Sequence, residues 1–151
     1  MFKGVAHTGL IVSDIDTLVP FLCDVFEMEI KADLGLQTGL EAGQIMGLPG
    51  AHVKIVMLEK GGHTLELLEI VKPEREPIAK ETHYGEVGHC HLAFEVDDID
   101  AAYARVREAG AEIVVPPQVI PELKFFYLRA PDNQWFEVGG GAGVGAAPPG
   151  R

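Results

Sequence analysis

The ten residues from His7 to Asp16 come back, in register, from His91 to Asp100. The first copy reads His7-Thr8-Gly9-Leu10-Ile11-Val12-Ser13-Asp14-Ile15-Asp16. The second reads His91-Leu92-Ala93-Phe94-Glu95-Val96-Asp97-Asp98-Ile99-Asp100, so that His, Val, Asp, Ile and Asp recur at a constant offset of 84 residues. Each half then closes on a short apolar segment with one glutamate, Leu65-Glu66-Leu67 and Phe136-Glu137-Val138. A chain written twice on one plan folds as two similar units. A plan that supplies one imidazole and one carboxylate each time points to a His2Glu2 metal site shared between the halves.

The hydrophobic pattern gives each half the same order of elements, β-α-β-β-β. In the first half, strands are expected over residues 5–12, 29–34, 52–59 and 63–70, with a helix over residues 16–28. Asp14 and Asp16 suit the positive end of that helix, and Pro20 falls near enough to its first turn to be tolerated. Lys60-Gly61-Gly62 makes the turn between the last two strands. In the second half, strands are expected over residues 88–96, 112–115, 123–129 and 134–139, with a helix over residues 98–109 that stops at Gly110. The fold class is α+β: two tandem βαβββ modules, residues 3–71 and 88–139, forming a curled mixed β-sheet cup with helices outside. Together they make one domain over residues 1–139. A proline-marked polar linker covers residues 72–87. Residues 35–50 form a long glycine-rich loop, of the kind that is more often functional than idle. The glycine-, alanine- and proline-rich tail over residues 140–151 is expected to be disordered.

Side chains alternate across a strand, so parity assigns each residue a face. Opposite His7 stand Ala6, Leu10 and Val12; opposite His91 stand Cys90, Leu92, Phe94 and Val96. Leu65 and Leu67 flank Glu66, and Phe136 and Val138 flank Glu137. In all four strands one parity is apolar and suits packing beneath a helix, which leaves the His or Glu on the other face. The remaining candidates fit less well. His89 shares a face with His91 and suits a lining role. His63 has the opposite parity from Glu66, His52 and His83 suit the surface, Glu69 has the wrong parity, and Glu95 lacks a matching partner.

The formal net charge of −11, from 23 acids against 12 bases, argues against nucleic acid as a partner, because phosphate neutralisation needs a basic face. No apolar run has the length of a membrane span and no export signal opens the chain, so the expected place is the cytoplasm, away from membranes. In that setting Cys23 and Cys90 are expected as free thiols packed in the interior.

These motifs resemble the vicinal oxygen chelate superfamily, which includes glyoxalase I, methylmalonyl-CoA epimerase, extradiol dioxygenases and the fosfomycin and bleomycin resistance proteins. The matching stretches are residues 5–12, Leu65-Glu66-Leu67-Leu68-Glu69, residues 88–98, and Ala130-Pro131-Asp132-Asn133-Gln134-Trp135-Phe136-Glu137-Val138. Together they span about residues 3–139. The resemblance implies one divalent metal ion held by His7, Glu66, His91 and Glu137. Zinc, nickel, cobalt, manganese and ferrous iron all suit such mixed ligands. It also implies a small-molecule substrate, an oxygen-chelating carbonyl compound or thioester, and a homodimer.

The ligand count bears on the chemistry. Extradiol dioxygenases of the superfamily use two histidines and one glutamate; here Glu66 fills the remaining position, as in glyoxalase I. The expected activity is therefore that of a metal-dependent lyase or isomerase. It would move a proton next to a carbonyl through a metal-stabilised enediolate, with Glu137 as the base and Glu66 as a possible second base. The alternatives are an extradiol-type dioxygenase, a ligand-sequestering protein of the bleomycin-resistance type, and a metal-dependent resistance transferase that opens an epoxide. Lys124 and Arg129 are the only hints of cationic contacts for a coenzyme A thioester. The apolar loop over residues 35–50 suits either a cap on a hydrophobic substrate or a contact with a second subunit.

Overall fold

The computed structural model describes residues 3–39, 43–44, 46–76, 79, 85–121 and 123–140. The chain divides into two compact units, Met1–Ala79 and Lys80–Arg151, and each is a βαβββ module.

The first unit runs β1 (Thr8–Val12), α1 (Ile15–Phe26), β2 (Glu29–Gln37), β3 (His52–Lys60) and β4 (His63–Lys72). Its sheet has the order β1-β4-β3-β2, with β1 and β4 parallel and the other pairs antiparallel. The helix starts where Asp14 caps it: one carboxylate oxygen accepts from the Thr17 N–H at 3.1 Å and the other from the Thr17 hydroxyl at 2.6 Å. Those bonds, the hydroxyl's first, hold the Asp14 carboxyl below its ordinary pKa. Pro20 lies in the second turn rather than the first, and the helix continues past it to Glu27, which takes the left-handed conformation at φ 56°. The helix buries Ile15, Leu18, Phe21, Leu22, Val25 and Phe26, a stripe at three- and four-residue spacing. Leu10, Val12, Val56, Leu58, Leu65 and Leu67 bury the matching face of the sheet.

The second unit runs β5 (His91–Glu95), α2 (Ile99–Glu108), β6 (Glu112–Ile120), β7 (Leu123–Arg129) and β8 (Trp135–Gly140), with sheet order β5-β8-β7-β6 and β5 parallel to β8. Asp98 caps α2 by accepting from the N–H groups of Asp100 and Ala101, both at 3.0 Å. Phe126, Leu128, Phe136 and Val138 are buried on the helix side, and Tyr103 of α2 meets Phe126 edge to face at 5.2 Å.

The duplication reaches further than the strands. In the first unit Lys54 of β3 pairs with Asp16 in the first turn of α1, and in the second Lys124 of β7 pairs with Asp100 in the first turn of α2. Each module thus ties its sheet to its helix with the same ion pair.

Several boundaries differ from the sequence expectation. β1 and β5 are shorter, so His7 sits one residue ahead of its strand and His91 opens its own. β6 runs to Ile120, through Pro116 and Pro117. It is an edge strand, and its register shifts between Val115 and Gln118, so two missing N–H donors interrupt no inner ladder. Both cysteines are free, but neither is fully interior: Cys23 is half-buried on α1, and Cys90 is exposed just ahead of β5. His83, part of the expected linker and residues 141–151 of the expected tail lie outside the described residues. Among the described residues no helix is long and apolar enough to cross a membrane.

Candidate metal centre

The structure pairs the predicted ligands two by two, one His–Glu pair within each unit. In the first, His7 Nε2 lies 3.3 Å from Glu66 Oε2. In the second, His91 Nε2 lies 2.9 Å from Glu137 Oε2. All four side chains are partly exposed. Among the described residues no group of three or more potential ligands gathers.

Both pairs are built the same way. Glu66 stands opposite Gly9 on the neighbouring parallel strand, and Glu137 stands opposite Ala93. In each case the histidine is two residues earlier on the same face, and the residue directly facing the glutamate is small. The carboxylate reaches over that small residue to the imidazole. A Cβ on Gly9 would already stand 3.7 Å from Glu66 Oε2. The opposite parity is buried in β1, β4 and β8, at Leu10, Val12, Leu65, Leu67, Phe136 and Val138, and half-buried in β5, at Leu92 and Phe94. Glu69 obeys the same rule from the other side: its carboxylate accepts from the Ile15 N–H at 2.9 Å, at the start of α1. It is a helix-capping group and belongs to the face away from Glu66.

The donor set fits a divalent cation. Two ligand atoms about 2.1 Å from one ion at right angles stand about 3 Å apart, which is the spacing of both pairs. Imidazole nitrogen with carboxylate oxygen is a donor mixture that suits first-row divalent metals.

The second pair has a partner that parity alone does not single out. Tyr127 faces Glu137 across β7 and β8, and its hydroxyl donates to Glu137 Oε2 at 2.9 Å. Its ring also meets the His91 ring edge to face at 5.4 Å. The signal is present in the alternation of Phe125, Tyr127 and Arg129 against buried Phe126 and Leu128, but it takes the β7–β8 register to place Tyr127 opposite Glu137. Of the two cations that could have met a phosphate, Lys124 is held by Asp100 at 2.7 Å. Arg129 is buried, with its guanidinium 5.1 Å from the centre of the Trp135 ring. His52 is partly buried and His63 exposed, each at the start of its strand, and neither joins a cluster of ligands among the described residues.

Residues 4–138 match the family model described as the Glyoxalase/Bleomycin resistance protein/Dioxygenase superfamily. The chain belongs to that superfamily. Among its relatives is the metallothiol transferase FosB of Shouchella clausii, 30% identical over 142 residues, covering 91% of this chain and 80% of FosB. Among solved structures, a glyoxalase family protein from Bacillus cereus superposes with a TM-score of 0.80 at 21% identity, covering 95% of this chain and 97% of that one. A point mutant of the fosfomycin resistance protein FosX from Listeria monocytogenes, complexed with Mn(II) and 1S,2S-dihydroxypropylphosphonic acid, superposes with a TM-score of 0.64 at 21% identity, covering 95% of this chain and 92% of that one. These likenesses at low identity establish the fold of the superfamily.

Proposed function

We propose that this protein is a metal-dependent lyase or isomerase that moves a proton next to a carbonyl. His7, Glu66, His91 and Glu137 hold one divalent ion, with the two pairs drawn from one chain or from two copies in a homodimer. The observation that carries the reading is Glu66. It is paired with His7 as Glu137 is paired with His91, so a second carboxylate fills the position that a dioxygenase of this superfamily leaves open.

When bound, the ion supplies Lewis-acid polarisation of the substrate's oxygens. The chain's own residues supply the rest. Glu137 accepts the carbon-bound proton. Its Oε2 takes both the Tyr127 hydroxyl bond and the contact with His91, which leaves Oε1 to receive the proton. Tyr127 fixes the carboxylate's rotation and steadies its charge, and the edge of its ring holds the His91 imidazole in place. Glu66 is placed to serve as a second base. One shuttling base gives isomerisation, and two bases give epimerisation.

The FosB relative favours a second reading, thiol transfer to an epoxide, as FosB's description as a metallothiol transferase suggests. One experiment separates the two. The metal-reconstituted protein is incubated in deuterium oxide with a 2-oxoaldehyde–thiol adduct, with a 2-methyl-branched acyl thioester, and with fosfomycin plus thiol. The proposal expects deuterium at the carbon next to the carbonyl of the adduct or thioester, lost in Glu137→Gln. Thiol consumption with fosfomycin and no deuterium exchange would favour the second reading instead.

A further inference from the structure

We infer that the substrate held at the His7–Glu66 pair carries a short aliphatic group lying along the first module's sheet, an inference that rests on the metal-site reading above. Along β4, the residue that follows Glu66 on the same face is Leu68. The two side chains meet over Gly9: a Cβ built there would stand 3.7 Å from Glu66 Oε2 and 3.6 Å from Leu68 Cδ1. A ligand group lying over Gly9 comes between a carboxylate on one side and a leucine on the other. The register continues the apolar surface, with Met57 opposite Glu66 and with Ile11 and Ile55 on either side of Leu68.

Coverage changes along this strip. Near Glu66 it is open: Ile11 is 51% exposed, and Met57, Ile55 and Leu68 are only partly buried. Two residues further on, Ile70 and Val53 are buried with Ala51, and Met46, Leu48, Ile55 and Leu68 pack against that cluster. The Met46–Leu48 wall is held by backbone bonds, from the Leu48 N–H to the Gly43 carbonyl at 2.7 Å and from the Ala51 N–H to the Leu48 carbonyl at 3.0 Å. Only glycine fits at position 43, where a Cβ would lie 2.2 Å from the Leu48 carbonyl oxygen. Met46 and Leu48 therefore pack on their own sheet, at the end of an apolar strip that begins at a candidate metal ligand. From Glu66 to Leu68 is about 7 Å at the rise of a strand, room for a few methylene groups. Lys54 alternates to the other face and is held there by Asp16, and Lys31 donates to the Thr64 hydroxyl at 3.0 Å, on the side of Glu66 away from Leu68. Among the described residues of the strip, Ile11, Ile55, Met57 and Leu68, none suits a phosphate or a second carboxylate.

The test is calorimetric titration of the metal-reconstituted full chain with straight-chain alkyl hydroxamates, acetyl to octanoyl, which chelate through two oxygens. Affinity should rise about fourfold per added methylene and stop rising when the chain meets the Met46–Leu48 wall. Leu68→Asn and Ile55→Thr should each flatten the series, and Leu68→Met should preserve it, all with the parent's metal content. Equal affinity along the series in metal-loaded protein overturns the inference and leaves the metal site standing. So does a Leu68→Asn series as steep as the parent's. A protein that takes up no metal and binds no hydroxamate overturns the metal reading, and this inference with it.

Discussion

Each candidate ligand pair is set by a few local choices: a small residue at position 9 or 93, a glutamate opposite it, and a histidine two residues earlier on the same face. Parity is enough to separate Glu66 from Glu69, and the structure gives the physical reason, since Glu69 is spent on the Ile15 N–H. Tyr127 is not legible in this way, because a tyrosine alternating with buried residues marks a face and no more. Its role depends on the β7–β8 register that sets it opposite Glu137. A hydrogen bond from a phenol to a carboxylate contributes about 1.5–3 kcal/mol where it is shielded from water. Tyr127→Phe should therefore lower turnover about tenfold or more while leaving the metal stoichiometry unchanged, which steady-state kinetics alongside elemental analysis would check. Equal turnover in the variant would remove Tyr127 from the account.

The helices and their caps are the most legible elements, because Asp14 and Asp98 precede apolar stripes at helical spacing and both do cap. The edge strand β6 is the least legible. Pro116-Pro117 argues against a strand unless the segment lies at a sheet edge and shifts register there, and topology decides that. The apolar character of the loop over residues 35–50 points, in sequence, to a substrate or a second subunit. Of the leucine and methionine side chains described within it, Met46 and Leu48 pack on Ala51, Val53 and Ile70, while Leu36 is exposed on β2. Asp14→Ala should cost about 1 kcal/mol in denaturant unfolding near neutral pH. The Asp14 carboxyl is held below its ordinary value of 3.8 by its bonds to Thr17. Its contribution is accordingly present above that value and lost as pH falls through the folded-state pKa. The gap between parent and variant should close in acid. Lys54 has the opposite sign: the Asp16 hydrogen bond raises its pKa, so what that pair contributes holds below the ordinary lysine value and fades as pH rises through the raised one. With Asp16 mostly exposed, that contribution is under about 1 kcal/mol.

At the scale of the molecule, the duplication is the organising fact. Two units share strand order, helix caps, a sheet-to-helix ion pair and a His–Glu pair. The repeat is legible because the constant offset of 84 residues carries the first strand and helix intact. The extent of the symmetry is not, because Lys54 and Lys124 stand in unlike local sequences and match only through their sheets. A metal that needs both pairs binds the folded chain and not the unfolded one. At a free concentration of 100 times its dissociation constant it should therefore raise unfolding stability by about 2.7 kcal/mol, with chelator reversing the gain. Whether the two pairs hold one ion, as proposed, is read from elemental analysis of reconstituted, dialysed protein, on the parent, His7→Ala and His91→Ala. About one divalent metal per chain is expected in the parent, lost in both variants alike. No metal in the parent, or a full complement retained in either variant, would contradict the proposal.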